Sequence, residues 1–88
     1  MALAVVAAER FAELRDQRSA GHAFWLAGKA LAHEGREEEA AAQLEAAVES
    51  YGAARDRRLR DTVLTELVEL LQRLGREEDV ERVLGLQA

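Results

Sequence analysis

Hydrophobic and small residues recur at helical spacing on both sides of Gly35. Before the glycine they fall at positions i, i+3, i+4 and i+7, namely Phe24, Ala27, Gly28 and Leu31. After it, the corresponding stripe consists of Ala40, Leu44, Ala47 and Val48. Residues at this spacing share one face of an α-helix. The stretch from 24 to 48 therefore predicts two amphipathic helices that meet at a glycine turn.

Gly35 and its neighbours carry the signals of a helix end followed by a helix start. Glycine suits the left-handed backbone that commonly ends a helix, where a Cβ atom would clash. Residues 37–39 are all glutamate, and the helix dipole favours carboxylates in a first turn. Within the preceding helix, Gly28 costs about 1 kcal/mol relative to alanine. We therefore predict that the two helices touch at Gly28 and Ala40; the alternative is a glycine tolerated on a solvent-exposed face.

Applied to the whole chain, these criteria predict an all-α fold of about five helices. The predicted helices cover about residues 2–17, 21–33, 37–53, 60–73 and 76–86. Ser19 is the candidate N-cap in the first connection. Apolar faces are predicted at Val63, Leu64, Leu67, Val68 and Leu71 in the fourth helix and at Val80, Val83 and Leu84 in the fifth. We expect antiparallel packing of the second helix on the third.

The second half of the chain repeats the pattern of the first at a spacing of 40 residues. The segment G-R-E-E-E-A that begins at Gly35 recurs as G-R-E-E-D-V from Gly75. The same spacing pairs Phe11 with Tyr51, Asp16 with Asp56, Leu31 with Leu71 and Leu44 with Leu84. Turns therefore align with turns, and helix faces with helix faces. This predicts one domain, made of a half repeat at 1–20 and full repeats at 21–54 and 58–88.

The phased positions resemble the tetratricopeptide repeat (TPR), a helix–turn–helix unit of about 34 residues. The large, small, Gly and large positions of its first helix are matched by Phe24, Ala27, Gly28 and Leu31. The second helix is matched by Ala40, Leu44 and Ala47, although an aromatic residue is commoner in place of Leu44. No proline closes the repeat, since the chain contains none. The longer spacing is similar to that of long-linker TPR arrays in large bacterial regulators and signalling ATPases.

The resemblance implies an α-solenoid fragment that binds a protein partner. Such arrays accept a peptide or a helix in a concave groove lined by the first helix of each repeat. On this phasing the partner-binding residues are His22, Trp25, Lys29, His33, Thr65, Glu69 and Arg73. The carboxylate clamp of some TPR domains is excluded, because it needs Asn and this chain has none. The alternative function is structural, as a segment of a larger solenoid regulator or a self-associating scaffold, and we expect a homodimer.

Two interpretations of Trp25 remain open. It follows Phe24, which takes the packing position, so the phasing places Trp25 on the groove side. Tryptophan is enriched at binding hot spots because it offers a large, rigid surface and one N–H donor. The other interpretation places Trp25 in the core, between the second and fourth predicted helices.

Composition and charge narrow the class of partner. The 88 residues are 49% hydrophobic and 33% charged, as in a single globular domain. A net charge of −5 argues against nucleic acid as a partner. Residues 55–60 nevertheless hold four arginines and one aspartate. Contact with a small anion or a nucleic acid is one interpretation of this run; we favour the other, a solvated helix end where cations suit the C-terminal dipole.

We expect neither an enzyme nor a cofactor. His22 and His33 lie about 16 Å apart on one predicted helix, too far to share a metal ion. The sequence has no cysteine, no H-E-x-x-H segment and no glycine-rich phosphate loop. Residues 1–8 are apolar but too short for a membrane span, and they lack the basic start of a signal peptide. We therefore expect a cytoplasmic protein whose partner is a protein or peptide, and not a membrane.

Overall fold

The computed structural model describes residues 16–85, which form four α-helices without a strand. They are α1 (Gln17–His33), α2 (Glu37–Ala53), α3 (Arg57–Arg73) and α4 (Glu77–Gly85). The all-α prediction is thereby confirmed for these residues, and the predicted bounds of α2 are correct. The first predicted helix, at 2–17, lies outside the described residues except for Asp16 and Gln17, which are the N-cap and the first residue of α1.

Two helices begin earlier than the sequence pattern predicts, because each has an aspartate as its N-cap. α1 begins at Gln17 instead of residue 21, and its first turn is capped by Asp16, whose Oδ1 accepts a hydrogen bond from the Ser19 amide at 3.1 Å. α3 begins at Arg57 instead of residue 60, and Asp56 caps it in the same way. Ser19 is therefore not the N-cap. An aspartate cap starts each helix several residues before its apolar stripe begins.

The three corners between the helices share one type of C-terminal cap. In each, the amide of the first residue after the turn bonds to a carbonyl five residues earlier, as in Arg36 to Leu31 at 2.9 Å. The preceding residue has left-handed backbone: Gly35 at φ 81°, Arg55 at φ 59° and Gly75 at φ 72°. The predicted glycine turns are thus confirmed. The middle corner has the same shape without a glycine.

The core lies along α2 and α3 and is aliphatic apart from Tyr51. Consecutive helices pack against each other, α1 on α2, α2 on α3 and α3 on α4. The largest fully buried side chains of the core are Tyr51, Leu67, Val63 and Val83. On α4, Val80 and Val83 are buried as predicted, but Leu84 is 47% exposed, contrary to the prediction. Since α3 is the principal neighbour of α4 within the described residues, only a narrow stripe of this helix is covered.

Gly28 marks a close contact between α1 and α2, as predicted. A Cβ atom at this position would lie 2.7 Å from Leu44 Cδ2 and 3.3 Å from the Ala40 carbonyl oxygen. Gly21 makes a second close contact, which the sequence pattern did not predict: its Cβ would lie 2.9 Å from the ring of Tyr51. Because the start of α1 meets the end of α2, the two helices run antiparallel.

Candidate interaction groove

α1 and α3 lie side by side and run in the same direction. Near their starts, Arg18 Nη2 lies 2.6 Å from Asp56 Oδ2. Midway along, Trp25 Nε1 donates a hydrogen bond to Glu66 Oε1 at 3.2 Å. The surface between these two helices, which we call the α1–α3 groove, contains two cavities. The start cavity, of about 560 Å³, is lined by Arg18, His22, Asp56, Arg58, Leu59 and Thr62. The far cavity, of about 280 Å³, is lined by Gly28, Lys29, Ala32, Leu44, Glu66, Glu69, Leu70 and Arg73.

Trp25 lies between these two cavities and is half-buried. Its ring meets that of Tyr51 edge-on, with centroids 6.2 Å apart and planes at 88°. Over its face lies Lys29, whose Nζ is 4.2 Å from the ring centroid. A cation–π contact at an exposed site contributes only about 0.5–1 kcal/mol, so a partner group can displace it. Trp25 therefore combines both interpretations: it packs against the core, and the exposed Lys29 lies over its ring.

His22 and Tyr51 connect the start cavity to the core. The Tyr51 hydroxyl and His22 Nδ1 share a hydrogen bond, and the two ring centroids are 5.3 Å apart. Burial raises the pKa of Tyr51, and the charge of Asp56 adds to this effect. The imidazole itself is exposed. His22 thus anchors the buried tyrosine while presenting a polar ring to the groove.

The far cavity has an apolar floor and a rim of both charges. Its floor includes Leu44 and Leu70, which are buried. The rim holds four charged side chains: Lys29, Glu66, Glu69 and Arg73. Arg73 also forms an ion pair with Glu37, with Nη2 3.0 Å from Oε2. Such a depression suits an apolar side chain of a partner whose flanking residues are polar.

Five of the seven residues predicted to bind a partner belong to this groove. Four of them line its cavities, namely His22, Lys29, Glu69 and Arg73, and Trp25 lies between the cavities. Thr65 and His33 are exposed and line neither cavity. The Thr65 hydroxyl donates to the Asp61 carbonyl oxygen of its own helix at 3.0 Å. Successive residues of a helix are about 100° apart, so Glu66 rather than Thr65 faces α1.

Glu66, Arg18 and Arg58 belong to the groove but were absent from the predicted set. The signal for Glu66 was available, since it shares a helix face with Thr62 and Glu69 at spacings of four and three. Arg58 lies four residues before Thr62, but the predicted helix began too late to include it. Arg18 was assigned to a connection, although it lies in the first turn of α1.

Within residues 16–85, no group of three or more His, Cys, Asp or Glu side chains is placed to hold a metal ion. None of the helices there has both the length and the apolar character needed to cross a bilayer. Comparison of the chain with protein-family models, curated proteins and solved structures finds no match. The geometry of the groove is therefore the basis for a proposed function.

Proposed function

We propose that the chain is a protein-interaction module of the TPR type, which binds a peptide or a helix of its partner in the α1–α3 groove. The observation that carries the proposal is the position of Trp25, which is half-buried at the groove with the exposed Lys29 over its ring. Large aromatic side chains next to apolar depressions are the usual hot spots of such surfaces. A large apolar side chain of the partner takes the place of Lys29 on the indole face, and the charged rim selects its polar neighbours.

The equivalence of the two hairpins supports the repeat and solenoid part of this proposal. α1 and α3 have 17 residues each, begin 40 positions apart and are capped by Asp16 and Asp56. The second helices also lie side by side, because Arg82 Nη2 is 2.7 Å from Glu45 Oε1 and Arg76 Nη1 is 3.8 Å from Glu38 Oε2. First helix beside first helix and second beside second is the stacking of an α-solenoid. The groove is then the concave face lined by the first helices.

Peptides selected from a random display library against the 88-residue chain test the groove directly. We expect Trp25→Ala to weaken their binding by at least about 2 kcal/mol, which is about 30-fold in Kd. The matched control is Leu26→Ala, since Leu26 is adjacent, apolar and 64% exposed, and it lines neither cavity. Equal weakening by both changes, or by neither, would reject the groove.

A second variant separates loss of binding from loss of folding. Ala32 is half-buried and lines the far cavity. We expect Ala32→Arg to fill this depression and to block the same peptides, while the helical circular dichroism signal and the melting temperature change little. Binding that survives Ala32→Arg would place the peptides elsewhere on the molecule.

The structural alternative is favoured by a different observation, an exposed leucine on each of the first and the last described helices. Leu26 of α1 is 64% exposed and Leu84 of α4 is 47% exposed. Contact between copies through such an end would make the chain a self-associating scaffold and the expected homodimer. Light scattering over a range of concentrations tests this, with Leu84→Glu as the variant that should release monomers. A wild-type monomer at every concentration would reject self-association and leave the groove proposal intact.

A further inference from the structure

Three arginines surround a separate cavity at the corner between α2 and α3. The cavity, of about 230 Å³, is lined by Gly52, Arg55, Arg57 and Arg60, and we call it the arginine corner. It shares no lining residue with either cavity of the α1–α3 groove. Whatever binds here is therefore independent of the proposed peptide site.

The arginines of this corner lie at an electrostatically unfavourable place. The first turn of α3 contains no acidic residue, whereas those of α2 and α4 contain three each. The N-terminal end of a helix is positive, so arginines there repel the helix dipole. The favoured sequence interpretation of residues 55–60, cations at a helix C-terminus, is thus wrong for Arg57 and Arg60. Asp56, the N-cap, offsets part of this charge through its bonds with the Leu59 amide and with Arg18.

Arg55 occupies a backbone position that glycine would fill without strain. Its φ of 59° matches those of Gly35 and Gly75 at the other two corners. A Cβ atom is disfavoured in this left-handed conformation. Neither Arg55 nor Arg57 forms an ion pair with a described residue. The corner therefore keeps a strained arginine whose charge no described acid neutralises.

Arg60 adds a buried hydrogen-bond donor to the cavity wall. Its Nε is buried and has no hydrogen-bond partner among the described residues. Its Nη2 is 3.5 Å from Asp61 Oδ1, which is too long for a strong charge-assisted bond. Its aliphatic stem is held against Gly52, where a Cβ would lie 3.6 Å from Arg60 Cδ. A buried donor without a partner costs free energy, which a shift of the Arg60 guanidinium onto a bound anion would recover.

We propose that the arginine corner binds a phosphate group, either as free phosphate or as a phosphate monoester. Guanidinium groups are planar forks that match phosphate oxygens, and three of them line one cavity. A doubly charged group balances the two arginines without described ion pairs, Arg55 and Arg57, and Arg60 adds a third guanidinium to the lining of the cavity. The net charge of −5 repels anions at long range, so binding depends on these contacts rather than on the overall field.

Titration of the 88-residue chain with inorganic phosphate and with O-phosphoserine, at constant ionic strength, tests the proposal by NMR. We expect saturable shifts of the amide signals of residues 52–61, and binding about tenfold weaker or worse in Arg55→Gly and in Arg57→Gln. Arg58→Gln is the matched control, since it removes the same charge from the same helix but lines the start cavity. It should change the affinity by less than about twofold.

Arg55→Gly also excludes misfolding as an explanation for lost binding. Glycine relieves the strain at φ 59°, so this variant should melt at a higher temperature while it binds phosphate more weakly. Tighter binding of O-phosphoserine than of inorganic phosphate would assign the site to phosphorylated protein. Equal binding of the two probes would assign the site to free phosphate. The absence of saturable binding by either probe would overturn the proposal, as would equal weakening by Arg57→Gln and Arg58→Gln. Neither result would count against the proposal that peptides bind in the α1–α3 groove.

Discussion

The two hairpins of this molecule share one plan but differ in the residues that join their helices. Both have a glycine corner, at Gly35 and at Gly75, followed by an acidic first turn. In the first hairpin, α1 approaches α2 through small residues, with Gly28 against Leu44. In the second, α3 contributes mostly large aliphatic residues, namely Val63, Leu64, Leu67, Leu70 and Leu71, all of them buried. The backbone pattern is thus repeated, while the packing is not.

Because of this difference in packing, the residues that stabilise the fold and the residues proposed to contact a partner lie mainly on different helices. α3 supplies five of the ten buried leucine and valine side chains of the described residues, and burial of such apolar surface drives folding. Because α1 packs through small residues, its larger side chains His22, Trp25 and Lys29 remain available at the surface of the groove. At the position equivalent to Trp25, 40 residues later, α3 carries the exposed Thr65. We infer that α1 provides the recognition residues and that α3 provides the wall against which they are held.

The largest effect is expected from filling the α1–α2 contact. Gly28→Leu places a side chain where even a Cβ would lie 2.7 Å from Leu44, so overpacking should lower the free energy of unfolding by about 1–3 kcal/mol. The matched control is Val68→Leu at the equivalent position of α3, which is half-buried, and it should change stability by no more than about 0.5 kcal/mol. Urea denaturation followed by circular dichroism measures both. Equal effects would show that the two hairpins do not differ at this position.

A smaller effect of opposite sign is expected at the middle corner. Arg55→Gly removes a left-handed non-glycine residue, and the relief of strain should raise the free energy of unfolding by roughly 1 kcal/mol. Part of this gain is offset, because glycine loses more conformational entropy on folding than arginine does. The reverse change at an equivalent corner, Gly75→Ala, should destabilise by a similar amount, because Gly75 has φ 72° and an open surrounding. Thermal melts compare the two. If Arg55→Gly is neutral or destabilising, the arginine is held there by contacts stronger than the strain.

The smallest effect concerns the two aspartate caps and their response to acid. The bond from the Leu59 amide, with a contribution from Arg18, lowers the pKa of Asp56 below its ordinary value of 3.8. The bonds from Ser19 lower that of Asp16 in the same direction. A lowered pKa stabilises the folded state above pH 3.8, and this stabilisation is lost as the pH falls through the folded pKa.

Urea denaturation at pH 7 and at pH 3 measures this loss. Asp56→Asn should reduce the difference in stability between the two pH values, because the variant has no carboxylate to protonate at this cap. The variant Asp61→Asn is the control, since Asp61 is exposed and caps no helix. An unchanged difference in Asp56→Asn would mean that the cap does not contribute to acid sensitivity.

The sequence predicts the features of this fold that depend on local pattern. Gly35, the contact at Gly28 and the bounds of α2 follow from helical spacing and cap preferences. The early starts of α1 and α3 were missed because aspartate caps lie outside the apolar stripes. Tyr51 was not assigned to the core, since its burial depends on the space that Gly21 leaves on another helix. Glu66 could have been placed on the groove by its helix face, but its hydrogen bond from Trp25, 41 residues earlier, is visible only in the structure.

The central claim, that Trp25 is a recognition residue held at the edge of the core, is tested most directly by its fluorescence. Trp25 is the only tryptophan of the chain, so acrylamide quenching reports on this side chain alone. In the free chain we expect intermediate quenching, because Trp25 is half-buried and the exposed Lys29 lies over its ring. On addition of a selected peptide, quenching should fall and the emission should shift to the blue. Emission that is already blue-shifted and insensitive to acrylamide in the free chain would contradict the claim, as would quenching that a bound peptide leaves unchanged.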